Sequence, residues 1–306
     1  MRSEELKVIF EDVQGEKRLK ESMRNYTSFH IGGAADFLIF PEGTDDLRKI
    51  LYLCNKYKIP LFVLGFGTNI LVKDGGIRGV IVSLDKGFSE VRVVEGETVT
   101  AGAGAGLQTM VGFALKNELS GMEFAVGIPG SVGGALVMNA GTEVGEMEDI
   151  VQEVRIMTSD GEIRTLKKGD IKFSYRYSNF PAGSILLETD TLLKKGKGKN
   201  IKREMELFIH KRRLKQPLSF NSAGSVFKNP PGDFAGRLVE SAGLKGFHVG
   251  DAMLSYVHAN FIINRGNATA RDVLRLIEIV KEKVFTKTGV SLEEEIKIIG
   301  EDVENN

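Results

Sequence analysis

The chain has no tryptophan, one cysteine and only 7 prolines among its 306 residues. A single cysteine excludes a disulfide framework within the chain. Cys54 lies at helical spacing from Leu47, Ile50 and Leu51, which predicts a buried core thiol and not a reactive one. The few prolines stand beside 36 glycines, a balance that indicates backbone in close approach to a ligand more than disordered linkers.

The sequence also lacks a charge excess and a long lipid-compatible apolar run. Lys and Arg together number 41, as do Asp and Glu, so no overall charge favours binding to nucleic acid or an anionic membrane. Residues 1–22 mix both charge signs and lack the apolar core of a secretory or transit peptide, so a cytoplasmic protein is expected. The uncharged run 124–142 contains Pro129 and several glycines, which predicts a glycine-rich loop.

Metal chemistry and standard nucleotide signatures are missing as well. The four histidines have no short paired spacing and only one cysteine could join them, so no zinc or iron site is expected. No G-x-G-x-x-G follows a predicted strand and no G-x-x-x-x-G-K-[ST] occurs, which argues against a Rossmann or P-loop enzyme. No G-x-S-x-G elbow supports a hydrolase.

Hydrophobic periodicity predicts a mixed α and β chain. Residues 44–65 read as a helix capped by Thr44 and then a strand, and 79–84 reads as a second buried strand. Further predicted elements are hairpins at 89–103 and 151–167, helices near 109–119, 201–215 and 269–288, and a strand in the segment SLEEEIKIIG. Thr269 and Gly289 suit the two ends of the last helix. The run KKGKGKN at 194–200 predicts a solvated linker and a domain boundary.

Two glycine-rich segments are the strongest candidates for ligand binding. GFGTN at 65–69 and GIPGSVGGA at 127–135 could each offer several backbone N–H groups to one anion, such as a pyrophosphate. Tight turns without a ligand explain the same glycines equally well. These residues alone therefore leave both interpretations open.

Three further patterns could contribute side-chain chemistry. In YRYS, Arg176 stands between two aromatic residues and could point its guanidinium at a carboxylate or enolate. Ser225 follows a glycine in NSAGSVFKNP and is by default a turn residue. An acidic run such as Glu293–Glu295 is usually solvated surface, but strand alternation turns Glu294 away from its two neighbours.

Six motifs in order resemble those of the UDP-N-acetylenolpyruvoylglucosamine reductases. They are LGFGTNILVKDGGIRGVIV, VGIPGSVGGALVMNAG, FSYRYS, AGSVFKNP, FAGRLVESAGLKGFHVGDAMLSYVHANFIIN and LEEEI, spread over residues 23–300. The resemblance implies an α+β fold with a two-subdomain FAD-binding module of the vanillyl-alcohol-oxidase-like (PCMH) type and a C-terminal α+β substrate domain. We place these domains at 1–84, 85–198 and 199–306.

The resemblance also implies site residues. The catalytic positions are Arg176, Ser225 and Glu295, with Glu293 as the alternative because Glu294 stands where many relatives have proline. Substrate contacts fall on Tyr175, Lys228, Asn229 and His258. Contacts to non-covalent FAD fall on Gly65, Phe66, Gly67, Thr68, Asn69, Ile70, Gly127, Pro129, Gly130, Ser131, Gly133, Gly134, Asn139 and Ala140.

The implied reaction belongs to peptidoglycan precursor synthesis. A hydride passes from NADPH through FAD to the alkene of UDP-N-acetylglucosamine enolpyruvate. Arg176 and Glu295 then stabilise the developing charge and Ser225 donates a proton, for which we expect Lys228 to polarise it. The short spacing between Arg176 and AGSVF lacks the segment that supplies a substrate-binding tyrosine in one subgroup, so the chain resembles the shorter subgroup. A monomer is expected.

Two other functions stay open at this level. An oxidase of a small alcohol on the same flavin fold would differ by a flavin linked covalently to a histidine or cysteine. A nucleotide-sugar-binding protein without catalysis would not require Arg176, Ser225 and Glu295 together.

Overall fold

The structure is a computed structural model, and it describes residues 3–303. The first two residues of the N-terminal segment and the last three of the predicted C-terminal domain lie outside the described residues. The described residues form eight α-helices: α1 (Ser3–Ile9), α2 (Thr44–Tyr57), α3 (Leu107–Lys116), α4 (Val132–Val137), α5 (Met147–Ile150), α6 (Gly198–Lys215), α7 (Ala235–Ser241) and α8 (Ala270–Thr288).

The same residues form twenty short strands. In chain order these are β1 (Glu16–Ser22), β2 (Ala34–Phe40), β3 (Leu61–Leu64), β4 (Ile70–Val72), β5 (Ile77–Ser83), β6 (Val91–Glu95), β7 (Thr98–Gly102), β8 (Leu119–Ser120), β9 (Gly141–Thr142), β10 (Gly145–Glu146), β11 (Val151–Met157), β12 (Ile163–Lys167), β13 (Phe173–Ser174), β14 (Tyr177–Ser178), β15 (Ile185–Leu192), β16 (Lys194–Lys195), β17 (His248–Val249), β18 (Ala252–Leu254), β19 (Ile262–Asn264) and β20 (Lys297–Ile299). Helices and strands are interspersed, as the predicted α+β class requires.

The described chain divides into two compact units. The first unit takes the described residues up to Leu19, then Phe37–Phe66 and Gly79–Lys211. The second unit takes Lys20–Asp36, Gly67–Arg78 and the described residues from Arg212 onward. This division does not follow the boundaries at 84 and 198, so the three-part division stays a prediction about domains.

Each unit has its own hydrophobic core. In the first unit, one face of α2 with Leu47, Ile50, Leu51 and Cys54 is buried with strand residues such as Val82. The second unit buries the stripe of α8 from Val273 to Val284 with Phe227 and Leu254. Burial of each such aliphatic side chain contributes about 1.5–3 kcal/mol, which makes these faces the main source of stability.

The predicted strands and hairpins of the first unit are confirmed. Strands β3 and β5 pair in parallel, with Leu61 opposite Val80. The hairpins β6–β7 and β11–β12 are antiparallel and belong to a five-stranded sheet with the order β12-β11-β15-β7-β6. A four-stranded sheet has the order β1-β2-β5-β3, and its first two strands were not predicted because their residues do not alternate clearly.

Three local predictions need correction. The N-cap of α2 is Gly43 and not Thr44, and Gly43 makes no side-chain cap hydrogen bond. The run 124–142 is not loop throughout, because α4 forms within it and Ser131 accepts the Gly134 N–H at its start. The run 194–200 is not an extended linker, because β16 pairs with β8 and α6 begins at Gly198.

The long helix of the second unit begins and ends as predicted. Thr269 and Asp272 form a reciprocal capping box, and Gly289 ends α8 with a left-handed φ of 72°. Asp74 adds a second cap, since its carboxylate accepts the N–H groups of Ala270 at 2.8 Å and Arg271 at 2.9 Å. The side chain of Asp74 thereby fixes the segment after β4 to the start of α8.

Gly67 is the tightest glycine of the first glycine-rich segment. Its φ is +63°, and a Cβ added there would collide with the carbonyl oxygen of Tyr26. The Gly67 carbonyl accepts the Ser28 N–H at 3.0 Å, so the two backbone segments are in direct contact. Glycine is therefore required here for space as well as for conformation.

Cys54 should resist alkylation in the folded protein. Burial raises the pKa of its thiol to about 12, so almost no thiolate is available at pH 8. We expect iodoacetamide to leave the native chain unmodified at this pH and to add one group after denaturation, as measured by intact mass. Because Cys54 is the only cysteine, modification of the native protein would contradict its burial.

Replacement of Gly67 by alanine should destabilise the protein more than the same change at Gly96. Both glycines have a left-handed φ, +63° and +55°, but an alanine methyl at Gly96 would meet nothing within 4 Å. The left-handed conformation costs about 1–2 kcal/mol in each case, and displacement of the Tyr26 carbonyl adds about 1–3 kcal/mol to Gly67→Ala alone. Thermal unfolding of the two variants tests this, and equal midpoints would show that the loop yields freely.

Candidate active site

The second glycine-rich segment lies against a third segment in the first unit. Leu107 donates to the Gly130 carbonyl at 2.9 Å, Val132 to Ala105 at 2.8 Å and Gly133 to Ala103 at 2.8 Å. Gly127 and Gly130 hold φ angles of +75° and +141°, which glycine adopts without strain. The segment 130–134 is thereby fixed to residues 103–107 by backbone contacts alone.

The first glycine-rich segment begins beside the same residues. A Cβ added to Gly65 would lie 2.6 Å from the Ser131 hydroxyl oxygen, and one added to Gly106 would lie 3.4 Å from the Phe66 ring. Gly65, Phe66 and the ranges 103–107 and 130–134 therefore form one group, which we name the glycine cluster. It brings together part of each predicted flavin-binding segment.

The range 103–107 is a part of the site that the sequence reasoning missed. It was assigned to the end of a hairpin, although the alternation AGAGAG at 101–106 is itself a signal for close backbone packing. A Cβ at Gly104 would collide with the Leu84 carbonyl, and one at Gly133 would lie 3.0 Å from Ala103. The cluster thus contains backbone where other folds place side chains.

The chemical character of the glycine cluster fits a flavin nucleotide. Tightly packed backbone leaves peptide groups within reach of a phosphate, and the Phe66 side chain next to it is 42% exposed. Val137, at the end of α4, is 44% exposed. Exposed apolar side chains beside peptide groups suit a cofactor that combines a flat ring system with a pyrophosphate.

Asn139 is fixed within the protein by both ends of its amide. The side chain is fully buried, its Nδ2 donates to the Ser174 carbonyl at 3.3 Å, and its Oδ1 accepts the Glu148 N–H at 3.0 Å. The residue has a φ of +42°, which asparagine tolerates better than most residues. Ala140 next to it accepts the Met147 N–H, so the segment 139–140 is joined to the start of α5.

Arg176 lies at the tip of the small hairpin β13–β14. The pairing of Ser174 with Tyr177 leaves Tyr175 and Arg176 as the two loop residues. Arg176 has a φ of +57°, and its guanidinium carbon lies 5.0 Å from the centroid of the Tyr175 ring. Contact with one aromatic neighbour confirms part of the predicted packing, and Tyr175 itself is 47% exposed.

In the second unit, the rest of the first glycine-rich segment holds the C-terminal acidic run. Asn69 donates through Nδ2 to the Glu295 carbonyl at 3.2 Å, and its own carbonyl accepts the Lys297 N–H at 2.9 Å. Ile70 begins β4 and pairs in parallel with Lys297 of β20. One predicted flavin residue is therefore bonded to one predicted catalytic residue.

Ser225 and Glu295 lie on neighbouring backbone segments of the second unit. Glu295 donates its N–H to the Val226 carbonyl at 2.7 Å, and Ser225 forms a β-bridge with Phe261. Phe227 forms a second bridge with Glu294. Residues 70 positions apart in the sequence are brought side by side by these few backbone contacts.

The three glutamates of the acidic run have different environments. Glu293 pairs with Lys228, whose hydrogen bond lowers the pKa of that carboxyl and keeps it ionised. Glu294 pairs with Lys281 at 2.8 Å. Separate partners agree with the predicted alternation, and an ionised Glu293 is less suited than Glu295 to act as an acid.

The contacts of Lys228 and Asn229 differ from those expected. Lys228 is engaged with Glu293, and strand alternation directs its side chain away from the face that carries Ser225. Direct polarisation of Ser225 by Lys228 is therefore not supported. The Asn229 Oδ1 accepts the Ala235 N–H at 3.0 Å, so this side chain positions the start of α7.

His258 has a half-buried ring next to two lysine charges. Its ring centroid lies 5.0 Å from that of Phe261, and its Nδ1 accepts the Asn260 N–H at 3.2 Å. Burial lowers the pKa of His258, and the positive charges of Lys245 and Lys215 lower it further against an opposing effect of Glu240. We name Lys215, Lys245 and His258 the cationic cluster.

Two absences apply to residues 3–303. No group of three or more potential metal-ligating side chains is present in this range. Within the same range, every helix is too short or too polar to cross a lipid bilayer.

Comparisons with known proteins agree on one family. Its C-terminal domain model, UDP-N-acetylenolpyruvoylglucosamine reductase, matches residues 216–299, and an FAD binding domain model matches 35–167. The reductase of Caldanaerobacter subterraneus is 47% identical over 291 residues, which cover 94% of this chain and 95% of that protein. That of Clostridium novyi is 45% identical over 284 residues, 92% of each chain.

A crystal structure of the reductase from Thermus caldophilus has the same fold. It aligns with a TM-score of 0.81 and 38% identity over 93% of this chain and 98% of that one. The FAD-binding match includes the whole glycine cluster and Asn139, so the α+β flavin-binding module and the C-terminal domain predicted from the sequence are confirmed. The chain belongs to the UDP-N-acetylenolpyruvoylglucosamine reductase family of FAD-containing oxidoreductases.

Proposed function

We propose that this protein uses NADPH to reduce UDP-N-acetylglucosamine enolpyruvate to UDP-N-acetylmuramate, a step of peptidoglycan precursor synthesis in the cytoplasm. The observation that carries the proposal is the 47% identity to a reductase over 94% of the chain, with Arg176, Ser225 and Glu295 all present. A protein that only bound the substrate would need no proton donor and no group to stabilise an enolate.

The glycine cluster is the proposed seat of FAD. Gly65, Phe66, Gly130, Ser131 and Gly133 belong to it, and its backbone can approach a pyrophosphate without interference from side chains. Bound FAD supplies hydride transfer between the nicotinamide and the alkene. We expect Asn139 to contribute through its backbone, since its amide is already bonded to Ser174 and Glu148.

Arg176 is the proposed stabiliser of negative charge on the substrate. Hydride addition to the enolpyruvyl group moves charge towards the carboxylate, and a fixed guanidinium is a strong partner for that charge. The ring of Tyr175 lies against the guanidinium and restricts its motion, which lowers the cost of holding Arg176 ready.

Ser225 is the proposed proton donor and Glu295 its companion. Backbone pairing with Phe261 and Glu294 fixes the segment that contains Ser225, so the hydroxyl needs little reorganisation. A serine hydroxyl is a weak acid, and it transfers a proton only to a strongly basic carbon such as that of an enolate. Glu295 would orient the intermediate or share in proton delivery.

The cationic cluster is the proposed contact for the diphosphate of the substrate. Lys215 and Lys245 are close enough for their charges to lower the pKa of His258, so positive potential is concentrated there in an otherwise neutral chain. Phosphate groups bind lysine ammonium ions as point charges, and a half-buried imidazole adds a hydrogen-bond donor.

The proposed reaction can be observed through the flavin itself. Under anaerobic conditions NADPH should bleach the visible band of the purified protein, and UDP-N-acetylglucosamine enolpyruvate should restore it as UDP-N-acetylmuramate forms. Denaturation should release free FAD, which separates this function from an oxidase with covalent flavin. Reduced flavin that ignores the substrate would contradict the reductase, and a protein unable to take up FAD would indicate a binding protein.

Substitutions at the two acidic positions sharpen that test. Ser225→Ala should lower kcat by roughly 10²–10⁴-fold while flavin reduction by NADPH is unchanged, because only the proton transfer is removed. Glu295→Gln should also lower kcat, whereas Glu293→Gln, its matched control two residues away, should leave kcat within about twofold. The reverse ranking of the two glutamates would move the role to Glu293.

The cationic cluster predicts how His258 titrates. NMR should find the pKa of His258 below that of an exposed histidine such as His30, because burial and two lysine charges disfavour its protonation. Lys245→Met should raise the pKa of His258 and weaken substrate binding, while Lys287→Met on α8 serves as a surface control. An unchanged His258 titration in Lys245→Met would show that the lysine is remote.

A further inference from the structure

The hairpin that carries Arg176 has little support of its own. We define it as residues 172–179, with β13 and β14 of two residues each. Its base is closed by the Asn179 N–H bound to the Lys172 carbonyl and by the Lys172 N–H bound to the Asn179 Oδ1. A two-stranded hairpin of this length is not stable alone in water. The φ of +57° at Arg176 also requires an external constraint.

That constraint comes from the segment 137–139 at the end of α4. The Ser178 hydroxyl donates to the Val137 carbonyl at 2.9 Å, and Asn139 Nδ2 donates to the Ser174 carbonyl at 3.3 Å. One contact is therefore made to each strand of the hairpin, on the two residues that flank the Tyr175–Arg176 tip by one position or two. Attachment at two points restricts rotation of the tip as well as translation.

The anchor side of these contacts is itself rigid. Asn139 is fully buried and also accepts the Glu148 N–H at 3.0 Å. The 137–139 segment follows α4 directly, and α4 begins at Ser131 in the glycine cluster. A displacement of the hairpin relative to this cluster would break both hydrogen bonds and leave the Asn139 amide buried without a partner.

We propose that Asn139 and Ser178 are positioning residues that hold Arg176 in place relative to the flavin-binding backbone. Neither residue contacts the substrate in this assignment, and each acts through the hairpin. The inference rests on the proposed function, because it takes the role of Arg176 from there. It also changes the assignment of the Asn139 side chain, which was predicted from the sequence to bind the cofactor.

The decisive variants are Ser178→Ala and Ser178→Thr. Alanine removes the hydroxyl, and threonine keeps it on a side chain that suits a strand. We expect Ser178→Ala to lower kcat by about tenfold with KM changed less than about twofold, and Ser178→Thr to restore it. Asn139→Gly, which removes the amide but accepts the positive φ, should lower kcat at least as much.

A second readout needs neither flavin nor turnover. Deuterium uptake of the peptide 172–179 in FAD-free protein should be faster in Ser178→Ala and Asn139→Gly than in wild type, and unchanged in Ser178→Thr. Ser184→Ala is the matched control, since its hydroxyl donates to the Pro181 carbonyl at 2.7 Å in a turn outside the hairpin. This control should leave both kcat and uptake at the wild-type value.

The outcomes separate this inference from the proposed function. Wild-type kcat and uptake in Ser178→Ala would overturn the positioning role, as would equal effects of Ser178→Ala and Ser184→Ala. Arg176→Lys should lower kcat without changing uptake of the hairpin. If Arg176→Lys kept full kcat while Ser178→Ala raised uptake, the proposed role of Arg176 would fail although the anchoring contacts were correct.

Discussion

Direct packing of backbone on backbone is the constraint on which the first unit depends. At Gly104 and Gly133 the neighbouring chain lies where a side chain would begin, and Gly65 stands against the Ser131 hydroxyl. A methyl group at any of these positions would separate segments that now share hydrogen bonds. Because no side chains fill this region, peptide groups remain close to the surface, which is the property that a pyrophosphate cofactor requires.

The same segment sets the position of the groups around it. From Ser131 the chain continues through α4 to Val137 and Asn139, which hold the hairpin with Arg176. The chemistry of a guanidinium depends on where it points, and a surface hairpin alone would not fix that direction. In the second unit, short pairings of 225–228 with 293–295 have the corresponding effect on Ser225 and Glu295.

Sequence reasoning succeeded where the signal is local. The helix α8 has an apolar stripe, a capping box and a terminal glycine within 21 consecutive positions, and each of these acts over one turn. The hairpins β6–β7 and β11–β12 follow from alternation around a turn. It failed where the determinant is distant: nothing near 194–200 reveals that β8 pairs with Lys194, and β1 lacks alternation because its burial depends on neighbouring chain.

The sequence by itself determined the family, the presence of two glycine-rich segments and the identity of Arg176, Ser225 and Glu295 as candidates. These depend on residue types at fixed spacing, which the chain order contains. Only the tertiary structure decided that Lys228 serves Glu293, that Asn139 bonds to Ser174 and that residues 103–107 complete the glycine cluster. Each of these partners is 28 or more residues away, and hydrogen bonds at that separation depend on the packing of the folded chain and on no local pattern.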